Sequence, residues 1–338
     1  MVVKAGFLEL TAEVLVGKDN PLLQLNELIE WERFRKYLKG LYRNEIHGEG
    51  GQPYDVIQMF KALLLQQWHS LSDTDLEKSL RTRLDFMLFT RFGLEGIVPD
   101  ATTFCRFRNK LMSDGRFKKL LNEVNQQLGK RGLAILKANA AIVDATIIES
   151  AARPNRVIDL AHDREESELE EEPLQISESA DSDARWFKEG KRCYFGYKAF
   201  VSTESEHGFI QQLEVTPANQ YEGHFLEKTI TGLEIQAVLA DKGYATEANR
   251  EWLRKQGYLD GIMRKATRGQ ALNEVEKAVN KLISKVRFKV EQCFGTLKRR
   301  FQFQRASYFG LRKVEGQMCL KAMCFNLLKA SRLLMATG

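Results

Sequence analysis

The stretch IQAVLADKGYATEANREWLRKQGYLDGIM, residues 235–263, decides the fold class because it reads as a strand, a helix and a strand in succession. Ile235–Ala240 is a short, mostly apolar stretch that ends at Asp241 and is predicted to be a strand, and Leu259–Met263 is predicted to be a second strand. Between them, Thr246–Gln256 has the mixed apolar and polar spacing of a surface helix. Two strands joined by a helix are typical of a parallel strand pair covered by helices.

Further strands and helices extend this unit in both directions. The predicted strands are Leu133–Thr146, Tyr194–Thr203 and Phe209–Thr216, and the predicted helices are Gly223–Leu233 and Asn273–Arg300. The order of these elements predicts an α/β fold, in which a mixed sheet is flanked by helices. We assign it to residues 133–338 as one domain.

Residues 1 to about 132 are predicted to form a separate, all-helical N-terminal domain. Pro53–Trp68 and Leu71–Phe92 carry apolar residues at helical spacing. After a turn over Gly93–Asp100, Thr102 or Thr103 is expected to cap a short basic helix. That helix carries the cations Arg106, Arg108 and Lys110. A helix-turn-helix that binds DNA and a helical bundle with a basic surface fit this pattern equally well.

Charge is distributed very unevenly along the 338 residues. The net charge is +6, but Asp163–Asp183 alone holds ten acids and one base, which leaves +15 for the rest of the chain. A balance of this kind favours a polyanionic partner such as nucleic acid. The acidic, Ser-rich residues 156–190 contain few core-forming side chains, so we predict a mobile loop there.

Several classes of protein are disfavoured by the same composition. No apolar run reaches the roughly 18 residues of a membrane-spanning helix, and the charged N-terminus is not a signal peptide. The stretch Met318–Met335 is predicted to be a core or dimer helix. The five cysteines form no Cys-x-x-Cys pair, which favours reduced thiols in the cytoplasm and disfavours a zinc site.

Glu291 is the only acidic residue between Lys281 and Lys313, a window that also contains ten Lys and Arg residues. At about 100° per helical residue, Arg287, Glu291 and Lys298 fall within roughly 40° of one another. We therefore expect these three side chains to share one face of the helix, within a surface that binds a polyanion.

Two aspartates complete a possible metal site with Glu291. Asp144 follows Ala-Ile-Val and Asp241 follows Val-Leu-Ala, so both are expected at the ends of buried strands. Neighbouring carboxylates repel unless a divalent cation lies between them, and Mg²⁺ prefers such oxygen ligands. Taken singly, each aspartate also fits a turn or a helix cap, and Glu291 fits an ion pair with Arg287.

Three segments around these acids resemble the acidic motifs of bacterial insertion-sequence DDE transposases. They are Ala141-Ile-Val-Asp144-Ala-Thr146, Leu239-Ala-Asp241-Lys-Gly243-Tyr244 and Arg287-x3-Glu291-x6-Lys298. The third resembles the Tyr-x2-Arg-x3-Glu-x6-Lys signature of one group of these enzymes. This chain has Ser284 where that signature has tyrosine, so any role of the tyrosine is in doubt.

The resemblance implies an RNase H-like catalytic domain in a homodimer that acts on double-stranded DNA. The expected DNA substrates are the terminal inverted repeats of the element and a target. Cleavage at the repeats and strand transfer would use two Mg²⁺ ions, with Mn²⁺ as a substitute, held by Asp144, Asp241 and Glu291. By the family motif, Arg287 and Lys298 would contact phosphates beside the scissile bond.

Other residues are weaker candidates for DNA contacts. Arg299 and Arg300 continue the basic helix, Lys198 lies in the second predicted strand, and Trp186 either stacks on an unpaired base or packs in the core. Core packing is the favoured interpretation for Trp186. Two rival functions stand beside the transposase: a nuclease of the same fold that never joins ends, and a DNA-binding protein without catalysis.

Overall fold

A mixed sheet lies at the centre of the second half of the chain. The computed structural model describes residues 7–17, 19–42, 53–93, 97–133, 135–152, 179–266 and 271–336. Within these residues the strands are β1 (Lys137–Glu149), β2 (Arg185–Glu189), β3 (Arg192–Glu204), β4 (Ile210–Pro217), β5 (Glu234–Ala240) and β6 (Leu259–Ile262). Their order is β2-β3-β1-β5-β6, and β4 pairs with β3.

The register of the sheet places the two predicted aspartates side by side. β1 runs antiparallel to β3 and parallel to β5, and β5 runs parallel to β6. Val143 of β1 pairs with Ala240 of β5, so Asp144 and Asp241 each follow one member of that pair. Antiparallel strands on one side of β1 and parallel strands on the other form an RNase H-like sheet. The α/β fold predicted from the sequence is confirmed.

Helices precede the sheet and cover both of its faces. The N-terminal helices are α1 (Phe7–Val16), α2 (Pro21–Leu28), α3 (Arg35–Leu38), α4 (Val56–His69), α5 (Asp73–Thr82), α6 (Leu84–Thr90), α7 (Ala101–Ser113) and α8 (Phe117–Lys130). The later helices are α9 (Leu226–Ile230), α10 (Glu247–Gln256), α11 (Glu274–Arg299) and α12 (Leu311–Ala336). Asn273 and Glu276 form a capping box at the start of α11, close to the predicted boundary.

One hydrophobic core joins the N-terminal helices to the sheet. Helix α12 packs against α4, α8 and β4, and most of its side chains are buried. Inside this contact Asn326 donates to Asn125 and accepts from the backbone N–H of Ile210. Of the two roles predicted for Met318–Met335, the structure therefore shows a core helix. A smaller core lies on the opposite face of the sheet, under α9 and α10.

Several predicted boundaries are wrong. The first strand continues to Glu149, so Asp144 lies within a strand and not at its end, because pairing with β3 extends β1 beyond the apolar run. The predicted helix Leu71–Phe92 is two helices, broken where Arg83 adopts an extended conformation. Asp100, rather than Thr102 or Thr103, caps α7 by accepting from the N–H of Thr103.

The structure describes the C-terminal part of the predicted acidic loop. Residues 156–178 lie outside the described residues, but Arg185–Glu189, within the predicted loop, form the edge strand β2. Just before β2, Asp181 is buried and accepts hydrogen bonds from Ser150 and Tyr197. The C-terminal part of the predicted loop is therefore an ordered part of the sheet. In the described part of the chain, no helix is long and apolar enough to cross a membrane.

Candidate active site

Asp144 of β1 and Asp241, which directly follows the adjacent strand β5, both contact the guanidinium of Arg287. The side chain of Asp144 shares one face of β1 with Ile142, because alternate residues of a strand point to the same side, and α11 packs against that strand. Asp241 follows the last residue of β5 and caps the short turn Lys242–Tyr244. The two carboxylates accept from the backbone N–H groups of Ala145 and Lys242, respectively.

Arg287 of α11 joins the two aspartates. Its Nη2 lies 2.9 Å from Asp144 Oδ2 and its Nη1 lies 3.4 Å from Asp241 Oδ1. The residue is only 9% exposed, and among the described residues its Nε has no hydrogen-bond partner. In the structure the guanidinium of Arg287 is buried against the two carboxylates, whereas Glu291 is exposed. The contact of Arg287 with phosphates stays a prediction.

Burial shapes the proton affinity of this site. Desolvation raises the pKa of the Asp144 carboxyl above its usual value, while Arg287 and the N–H of Ala145 oppose that rise. Burial also raises the pKa of Tyr244 well above its usual value, and its hydroxyl has no hydrogen-bond partner among the described residues. Asp144 is thus a partly desolvated carboxylate whose charged form depends on a nearby cation.

Glu291 faces a groove beside the aspartate pair. The groove has a volume of about 490 Å³. It is lined by Ala145, Thr146, Ile147, Glu149, Phe187, Glu189, Tyr194, Lys198, Glu222, Glu291, Phe294, Gly295, Lys298 and Gln304. Four of these residues are acidic and two are lysines, so the groove itself carries negative charge. The polyanion-binding surface expected around Glu291 therefore includes acidic walls.

The two lysines of the groove lie close to acidic side chains that also line it. Lys198 is 3% exposed, and its ammonium lies 3.3 Å from Glu222 and over the ring of Phe187. Burial lowers the pKa of Lys298, while Glu189 and Glu149 oppose that shift. Lys198 is thus more enclosed than a residue expected to reach DNA, although its side chain still lines the groove.

Glu222 is a member of the site that sequence reasoning missed. Besides pairing with Lys198, its carboxylate occupies the space above Gly243: a Cβ at that position would lie 2.7 Å from Glu222 Oε2. The glycine of the Asp241-Lys-Gly243-Tyr244 motif leaves room for this contact. No spacing rule links Glu222 to that motif, so only the fold could reveal it.

The remaining predicted DNA contacts differ in exposure. Arg299 and Arg300 are exposed at the end of α11, and Arg106 and Lys110 are exposed on α7. Arg108 is buried and bound to Asp73, which corrects its assignment to a DNA-binding surface. Trp186 is 38% exposed and its ring lies 5.5 Å from that of Phe195, so the favoured core position is also wrong.

The aspartate pair has the donors that a divalent cation requires, but the expected trio is not assembled. Asp144 and Asp241 both direct oxygen atoms at one positive group, the guanidinium of Arg287. A hard divalent cation takes the same kind of carboxylate oxygens. Within the described residues, no three His, Cys, Asp or Glu side chains are close enough to hold one ion, so Glu291 stands apart from the pair.

Comparisons with known proteins agree on one class. The family described as "Transposase DDE domain" matches residues 136–327, and the one described as "Transposase domain (DUF772)" matches residues 10–110. The transposase for insertion sequence element IS1106 of Neisseria meningitidis serogroup B is 44% identical over 237 residues, covering 69% of this chain and 79% of that relative.

A solved structure gives a weaker likeness. The cryo-EM structure of a piggyBac transposase synaptic complex with hairpin DNA matches 97% of this chain and 76% of that chain, with 10% identity and a TM-score of 0.42.

Proposed function

Because the chain belongs to the insertion-sequence DDE transposase family, we propose that it cuts DNA at the terminal inverted repeats of its element and joins the ends to target DNA. The family makes it a transposase, an enzyme that acts on DNA and depends on divalent metal ions. The observation that carries the finer proposal is the convergence of Asp144 and Asp241 on one cation.

Asp144 and Asp241 are proposed to hold the catalytic metal, with Glu291 as the third carboxylate. Two Mg²⁺ ions, or Mn²⁺ in their place, would stabilise the attacking and leaving oxygens of an in-line displacement at phosphorus. Glu291 lies four residues after Arg287, and residues at that spacing have Cβ atoms about 5–6 Å apart on a helix. Its side chain therefore starts within one helical turn of the group that contacts both aspartates.

The acidic walls of the groove support a role for bound cations. A DNA backbone would be repelled by Glu149, Glu189, Glu222 and Glu291 unless positive charge entered with it. Lys198 and Lys298, which both line the groove, supply part of that charge. The exposed Arg299 and Arg300 would bind the backbone beyond the groove.

The two parts of the chain are proposed to have different tasks. Residues 133–338 form the catalytic region, and residues 1–132 bind DNA or contribute to a homodimer. Arg106 and Lys110 are the exposed cations of α7 that would contact phosphates, and Trp186 at the sheet edge would stack on an unpaired base. The proposed site of action is the bacterial cytoplasm, where the DNA lies.

The test uses the full chain with a labelled duplex that ends in the element's inverted repeat. Asp144→Asn, Asp241→Asn and Glu291→Gln should each lower cleavage in MgCl₂ by more than about 100-fold, while gel-shift binding persists. Glu251→Gln, on the exposed side of α10, is the matched control and should cut normally. Normal cutting by Glu291→Gln would remove Glu291 from the metal site.

Strand joining separates the rival functions. Purified protein given pre-cut repeat ends and a supercoiled plasmid should insert those ends in MgCl₂. Cutting without insertion would indicate a nuclease. Binding without cutting in either MgCl₂ or MnCl₂ would indicate a DNA-binding protein.

A further inference from the structure

Arg287 has an unusual position for a cation on a helix that carries an active-site carboxylate. Its guanidinium is buried and touches both Asp144 and Asp241, yet its Nε has no partner among the described residues. A buried donor without a partner costs free energy, so the ion pairs with the two aspartates must offset the cost of the unpaired Nε. Arg287 therefore forms two ion pairs with the aspartates but leaves one of its N–H donors without a hydrogen bond.

The aspartate pair needs a cation whether or not metal is bound. Two partly buried carboxylates on adjacent strands repel each other, and burial weakens the solvent's ability to screen them. Among the described residues, Arg287 is the cationic side chain that forms an ion pair with both Asp144 and Asp241. A divalent ion would require the same carboxylates, and two positive groups cannot share them without strong repulsion.

We propose that Arg287 is a built-in counterion that occupies the Asp144–Asp241 pair when metal is absent and that divalent metal must displace. This inference rests on the proposed metal site. Arg287 thereby stabilises the fold around the two aspartates, and it lowers the affinity of the site for metal. The two effects are linked, because a group that stabilises the metal-free form reduces the gain from binding metal.

The test compares full-length wild type with Arg287→Met, which keeps the length of the side chain and removes its charge. In EDTA, the midpoint of thermal unfolding should fall by several degrees in the variant. Added MgCl₂ or MnCl₂ should then raise that midpoint more in Arg287→Met than in wild type. Titration of MnCl₂, with free Mn²⁺ measured by electron paramagnetic resonance, should show roughly tenfold tighter binding in the variant.

Arg108→Met is the matched control. It also removes a buried guanidinium that binds an aspartate, but it lies in the N-terminal helices. It should unfold at a lower temperature than wild type and yet bind Mn²⁺ as wild type does. Arg287→Lys retains one positive charge but cannot bridge two carboxylates, so its Mn²⁺ affinity should lie between those of wild type and Arg287→Met. It serves as the test if Arg287→Met does not fold.

Two failures can be told apart. If Arg287→Met or Arg287→Lys binds Mn²⁺ no more tightly than wild type, the counterion inference is overturned and the metal site stands. If wild type binds Mn²⁺ no better than Asp144→Asn does, the proposed metal site itself is wrong.

Discussion

The guanidinium of Arg108 donates to both carboxylate oxygens of Asp73 in the interior of the N-terminal helices. Arg108 is 3% exposed, and its guanidinium also lies over the ring of Tyr308. Tyr308 belongs to the segment between α11 and α12, so this ion pair connects α5, α7 and the C-terminal part of the chain. A cation that looks like part of a DNA-binding helix is thus a structural residue.

Removing this cation should affect stability and leave DNA binding intact. Arg108→Met leaves Asp73 without its partner, which should cost about 2–4 kcal/mol of the free energy of unfolding, since Asp73 keeps some contact with solvent. Urea denaturation measures this loss. The logarithm of the DNA-binding constant falls linearly with the logarithm of the salt concentration. The slope of this line should be that of wild type for Arg108→Met, whereas Arg106→Ala should make it less steep by about one. A reduced slope in Arg108→Met would contradict its structural role.

Buried lysines should make stability depend on pH above neutrality. Lys321 of α12 is 2% exposed and donates to the carbonyls of Gln67 and Phe301, near the ends of α4 and α11. Burial lowers its pKa to about 8, so the folded state binds fewer protons than the unfolded state between about pH 8 and 10.5. Because the unfolded state binds more protons in that range, the free energy of unfolding rises as the pH rises through it.

The measurement is a comparison of wild type with Lys321→Met, which cancels the contributions of other titrating groups. The free energy of unfolding of wild type should rise relative to the variant by about 2 kcal/mol between pH 7 and pH 9.5. Lys137→Met, which removes a highly exposed lysine, should show no such trend. A constant difference between wild type and Lys321→Met would show that Lys321 titrates alike in both states.

Gly196 should tolerate no side chain, because β1 and β3 approach each other closely there. A Cβ at this position would lie 2.2 Å from the carbonyl oxygen of Ile148. Gly196→Ala should therefore lower the free energy of unfolding by at least about 1–3 kcal/mol. Gly129→Ala is the control: it lies in α8 with no atom within 4 Å of the added Cβ, and should stabilise the protein by about 0.5–1 kcal/mol.

The N-terminal helices and the sheet should unfold together. The fragment 133–338 would expose the faces of β4 and α12 that α8 covers, and would leave Asn326 without Asn125. We expect this fragment to bind the dye ANS and to lack a cooperative thermal transition by near-UV circular dichroism. A sharp transition in the fragment would instead support two independently stable domains at the boundary near residue 132.

Local signals made part of the structure predictable. The capping residues of α11 lie beside its start, and Asp241 directly follows its strand, so both positions could be read from a few neighbouring residues. Asp144 could be identified, but its place within β1 depends on pairing with Val201 of β3, which lies 57 residues later in the chain (201 − 144). Strand length is set by such pairing and not by the apolar run alone.

Burial of charge was the harder property to predict. Arg108 and Arg287 sit in basic sequences, and their partners lie 35 and 143 residues away. The sequence shows that a residue is cationic but not which carboxylate the fold brings to it. For the same reason the sequence did not indicate Glu222, because the fold, and not the spacing along the chain, brings it to Lys198 and Gly243.

The position of α12 between the N-terminal helices and the sheet also determines when the protein can fold during synthesis. Helices α4 and α8 leave the ribosome early, but the apolar surfaces that they present to α12 stay uncovered until residues 311–336 have been made. A chain that stops before residue 311 exposes those surfaces, which chaperones and proteases recognise. Only a polypeptide translated through that helix can therefore become a stable transposase.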